Sequence, residues 1–79
     1  MNTYKETKNR LLTLLEEKSL SIYELSMRSG VSPSTIKNIL YGKSKNPGIV
    51  TIKLMCDGFG ISIADFFNSV PFRQLEPED

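Results

Sequence analysis

Residues 20–43 read LSIYELSMRSGVSPSTIKNILYGK and contain two helix starts and two helix stops. Ser21 with Glu24 three residues later is a capping box. The serine oxygen accepts an orphan amide hydrogen bond, and the glutamate reaches back to the N–H of the cap. Leu20 and Leu25 flank this start as a hydrophobic staple. Gly30 is placed to end the helix in the left-handed conformation, where the missing Cβ removes the steric cost. Ser32 then caps a second helix, with Pro33 at its first position, where an absent N–H loses no partner. Val31 and Ile36 form its staple, and Gly42 ends it. Two helices joined by three or four residues around a glycine have the spacing of a helix-turn-helix.

The second of these helices, about residues 33–41, directs Ile36, Ile39 and Leu40 to a core. Pro33, Ser34, Lys37 and Asn38 are left on the other side, with Thr35 and Tyr41 beside them and no acid among them. Such a helix fits the major groove, with its first turn against base edges. Asn38 can make the paired hydrogen bonds that adenine offers, and Lys37 can reach guanine O6 or N7. Ser34 can bond several bases, and Pro33 can touch a thymine methyl. These four are the expected base contacts. Lys43, Ser44, Lys45 and Asn46 in the following loop are the expected phosphate contacts, with Thr35 as a further hydroxyl donor. Tyr23 joins them at the amino end of the preceding helix, where backbone N–H groups also face a phosphate. Arg28 and Lys53 read as plain surface residues.

Charge follows the same division. From Leu25 to Cys56 there are five bases and no acids, and the other five bases are outnumbered by all nine acids. The net charge of +1 therefore hides an acid-free middle section, of the kind that meets a polyanion. A chance cluster on a solvated face would look the same by charge alone. The motif spacing favours nucleic acid.

Outward from this centre, Leu11, Leu12 and Leu15 mark a first helix over Lys5–Lys18, extended by Tyr4 and Lys8 and broadened by Leu14. Another is expected over Val50–Gly58, with Ile49, Ile52, Met55, Cys56 and Phe59 in the core and Gly58 weakening it. Ser62-Ile-Ala-Asp65 starts a last short helix, stapled by Ile61 and Phe66 and ending near Asn68. The expected architecture is all-α, five helices, with a domain over 1–69 and an extension over 70–79 carrying the acidic tail.

Seventy-nine residues allow one domain. The apolar runs are far below a membrane span, and the polar start MNTYKETKNR lacks a secretory signal. With Cys56 as the one cysteine, a reducing, cytoplasmic setting is expected. No histidine, zinc-type cysteine cluster or phosphate-cradling glycine loop is present, which argues against an enzyme. No metal, cofactor or small-molecule ligand is expected.

The stretch Leu20–Lys43, together with N-P-G-I-V-T-I and F-G-I-S-I-A-D-F-F, resembles the Cro/XRE-type, lambda-repressor-like helix-turn-helix over about Arg10–Phe67. The resemblance implies a five-helix bundle that binds double-stranded operator DNA, usually as a dimer, to regulate transcription in a bacterium or phage, with repression the expected outcome. Three positions depart from the family pattern. Ile22 stands where a phosphate-holding glutamine is common. Leu15 and Leu40 stand where some members pair a buried arginine with a glutamate. Gly48 replaces a polar helix cap. The rival reading is a protein-interaction module, an antitoxin or adaptor built on the same bundle. Phe66, Phe67, Val70 and Phe72 are the expected homodimer interface, unless they close the monomer's own core.

Overall fold

The computed structural model describes residues 2–78. They form helices α1 (Thr3–Glu17), α2 (Ile22–Ser29), α3 (Pro33–Leu40), α4 (Ile49–Phe59), α5 (Ile63–Phe67) and α6 (Val70–Arg73), with no strand among them. The all-α bundle with its helix-turn-helix is as expected. The sixth helix is an addition. Pro71 lies in the first turn of α6, where it needs no N–H partner.

Helix α2 packs chiefly on α4, while α1 supports α3 and α6. Leu11, Leu14, Leu25, Val31, Ile36, Ile39, Leu40, Ile52, Met55, Cys56, Phe59 and Phe66 fill the interior. Two apolar residues expected there lie outside. Leu12 is 47% exposed and Ile49 61%. Leu14 and Leu11 take the buried face of α1 instead. Ile49 is the first residue of α4, one position earlier than expected, and it projects past the edge of the core. Gly48 caps α4 with no side-chain hydrogen bond.

Gly58 has a role that helix propensity alone hides. A Cβ built there would lie 3.0 Å from Ser29 Cβ, 3.1 Å from Leu25 Cδ1 and 3.2 Å from the Ser29 backbone nitrogen. The bare glycine lets α4 approach α2 this closely, so its propensity cost of about 1 kcal/mol is offset by packing. The helix ends two residues later, where Gly60 takes the left-handed conformation with φ 76°.

Helix α1 starts at Asn2, whose side chain accepts from the Lys5 amide, and ends without a glycine. Ser19 takes the left-handed position there, with φ 53°. The Leu20 amide donates to the Leu15 carbonyl at 2.9 Å, closing a Schellman-type end. Leu15 and Leu40 are both apolar and pack at or against the core.

Phe66 is wholly buried in the monomer, so its side chain is not available to a second copy. The Phe67 ring meets it edge-on at 4.8 Å, and the Phe72 ring lies 5.0 Å from Phe67. Val70 alone of the four stays well exposed. Arg10 locks this end in place, donating from Nε to the Phe66 carbonyl at 2.9 Å and from its terminal nitrogen to the Asp65 carbonyl at 3.1 Å. A cation at the carbonyl end of a helix also suits the helix dipole. Glu78 folds back onto the start of α1, accepting from the Thr3 backbone N–H at 3.2 Å and from the Thr3 hydroxyl.

Candidate nucleic-acid interface

The surface is built from the ends of α2 and α3. At the α2 start, Ser21 Oγ accepts from the Glu24 amide at 3.1 Å, and Glu24 Oε1 accepts from the Ser21 amide at 3.0 Å. The capping box read from the sequence is therefore closed in both directions. These bonds hold the Glu24 carboxyl below the usual carboxylate range. They also aim the acid closest in sequence to Tyr23 at its own backbone. Gly30 ends α2 at φ 76°, and its N–H donates to the Ser26 carbonyl at 2.9 Å. Ser29 Oγ accepts from the Val31 amide at 3.1 Å and stiffens the turn.

Ser32 caps α3 by accepting from the Thr35 amide at 3.2 Å. Its hydroxyl also meets the Thr35 hydroxyl at 2.9 Å, so Thr35 Oγ1 is partly engaged within the helix start itself. Ile36, Ile39 and Leu40 are buried, which fixes the rotation of α3 about its axis. Ser34, Thr35 and Asn38 consequently face outward and are exposed, while Pro33 and Lys37 are half-buried at the edge. Tyr41 follows the last turn and is largely exposed. The Tyr4 hydroxyl donates to the Ile39 carbonyl at 2.6 Å and secures the far end of α3 from α1.

After Gly42, left-handed at φ 87°, the loop turns back under α3. The Ser44 amide donates to the Asn38 carbonyl at 2.9 Å, which ties the loop to the last turn of α3. Lys43, Lys45 and Asn46 are exposed along it, and Ser44 is half-buried. Tyr23, at the second position of α2, is 62% exposed on the same side of the molecule as Lys37, whose Nζ lies 5.2 Å from the ring centroid. Thus the expected base-contacting and phosphate-contacting residues belong to two helix ends and one loop pinned to one another.

Lys53 is taken up by an ion pair with Asp57 one turn along α4, consistent with a plain surface role. Cys56 is buried, and burial pushes its thiol up, away from the reactive thiolate. No cluster of metal-ligating residues occurs among the described residues. No described helix is long and apolar enough to cross a membrane. Sequence reasoning missed the positioning parts: Tyr4 on the Ile39 carbonyl, Arg10 on α5, and the Tyr23–Lys37 contact. Only the last had a signal, an aromatic and a cation on outward faces of adjacent helices.

The sequence pattern of the Cro/C1-type HTH DNA-binding domain matches residues 10–71. Among solved structures, the chain is similar to the crystal structure of the prophage Lp1 protein 11, with 32% identity and a TM-score of 0.80 over 95% of this chain and 100% of that one. A comparison with curated proteins finds no match. A helix-turn-helix with closed caps, an acid-free outward face and a pattern match over most of its length places this chain in the Cro/C1-type helix-turn-helix family of DNA-binding domains.

Proposed function

We propose that the protein is a transcriptional regulator, acting as a repressor, that binds double-stranded DNA sequence-specifically with α3 in the major groove. The observation that carries this reading is the outward side of α3: Ser34, Thr35 and Asn38 exposed, Lys37 at the edge, and lysines in the loop hydrogen-bonded to it. Pro33, Ser34, Lys37 and Asn38 serve as base contacts. Tyr23, Thr35, Lys43, Ser44, Lys45 and Asn46 serve the phosphates. Ile22 offers no side-chain donor at the start of α2, so Tyr23 and the backbone N–H groups there face the phosphate without it. Gly48 leaves the start of α4 in the same condition.

One α3 covers a half-site, so the operator-bound form is a two-fold dimer with its two α3 helices about 34 Å apart. With Phe66 enclosed, Val70 and the flanking Phe67 and Phe72 are what remains of the proposed contact. The likeness to a prophage protein supports a phage or bacterial setting. The test is selection of bound sequences from a random DNA pool. Enrichment of a two-fold symmetric site is expected. Recovery of an unenriched pool, with binding indifferent to salt, would reject the reading in favour of a protein-binding module.

A further inference from the structure

We propose that Tyr23 sets part of the sequence preference without touching a base, by holding the Lys37 ammonium on its ring. The inference rests on the reading of α3 as the groove-facing helix. Nζ of Lys37 stands 5.2 Å from the Tyr23 ring centroid. Cations within about 6 Å of an aromatic face are attracted by its quadrupole. Lys37 is half-buried beside exposed Ser34 and Asn38, so its stem is covered and its reach restricted.

The nature of the partner matters. A carboxylate in that place would neutralise the ammonium and take up its donors. A ring face does neither, because it accepts no strong hydrogen bond. All three N–H groups of Lys37 remain for an acceptor such as guanine O6 or N7. No acid competes nearby: residues 25–56 contain none, and Glu24 is bonded to the Ser21 amide. Helical side chains lean toward their own amino end, so the ammonium is held toward the first turn of α3, the end placed against base edges. A lysine stem is otherwise highly mobile, and ordering it is a large part of what a lysine–base contact costs. Tyr23 is thus a positioning residue for Lys37, and its hydroxyl is dispensable for that purpose.

Three variants of the full chain test this: Tyr23→Phe, Tyr23→Leu and Lys37→Met. In the free protein, the ε-methylene protons of Lys37 should be shifted upfield by the ring in the parent and in Tyr23→Phe, and should relax to ordinary values in Tyr23→Leu. On DNA, Tyr23→Phe should keep the base preference at the position that Lys37→Met abolishes. Tyr23→Leu should lower that preference by about two- to fivefold while leaving other positions unchanged. In the Lys37→Met background, Tyr23→Leu should have no further effect on base preference. Full retention by Tyr23→Leu of the preference at the Lys37 position would overturn the proposal, as would the absence of the upfield shift; a uniform weakening common to Phe and Leu measures only the separate contact of the hydroxyl with phosphate. If the parent protein shows no base preference at all, the DNA-binding reading fails instead, and the proton shift still reports whether the ring holds the lysine.

Discussion

Asn38 and Lys45 represent the two kinds of contact proposed for the outward surface, and single substitutions separate them. Asn38→Ala should relax preference at one position of the selected site, by about 1–3 kcal/mol of discrimination between bases. Lys45→Ala should weaken all sequences alike and reduce the salt slope by about one. Uniform effects from both, measured by titration against matched and mismatched duplexes, would remove Asn38 from the base-contacting set. Gly58→Ala is a residue-scale question of sign. Helix propensity favours alanine by about 1 kcal/mol, but the added methyl meets Ser29 and Leu25 at 3.0–3.2 Å, partly against backbone. Overpacking of that kind costs about 1–3 kcal/mol, so a net loss is expected in urea unfolding. Glycine at this place was legible in the sequence only as a weak helix residue. What it contacts comes from a helix far away in the chain, and no local pattern records that.

Caps were readable from sequence because they are local. Ser21 with Glu24, Ser32 with Pro33, and Ser62 with Asp65 each complete their bonding within four residues, and all three starts occur where that chemistry puts them. The end of α1 lacked such a sign, since Ser19 occupies the left-handed site that glycine usually takes. The faces of Leu12 and Ile49 were misread for another reason: periodicity marks an apolar stripe, but the width of the covering neighbour decides which edge stays wet. At this scale Ser21→Ala should cost about 1 kcal/mol, seen as a lower urea midpoint with unchanged slope. Glu24 adds a pH dependence. Its carboxyl is held below its ordinary value, so its contribution is full above the ordinary carboxylate range and fades as pH falls through the lowered value. Unfolding midpoints of the parent and Glu24→Gln should therefore converge as pH falls below the ordinary carboxylate range.

The chain as a whole is nearly neutral, yet half of its cations lie in a section that has no acids. Four lysine–phosphate contacts in a dimer, from Lys43 and Lys45 of each copy, would weaken binding about a hundredfold between roughly 50 and 200 mM salt. Sedimentation equilibrium with and without operator should show the dimer, and persistence of a monomer on a symmetric site would contradict it. The fold was legible at this scale because a small all-α bundle is specified by its punctuation. The proposed dimer face was not, because the same phenylalanines can close one core or join two, and Phe66 is spent on the first. The Glu78–Thr3 contact has a separate consequence for the order of the chain. It puts positions 3 and 78 side by side. A linker of a few residues should therefore join positions 3 and 78, and the chain can be opened at the exposed turn between Lys18 and Ser19. Such a circularly permuted protein should fold with the same six helices and release the left-handed serine from its constraint.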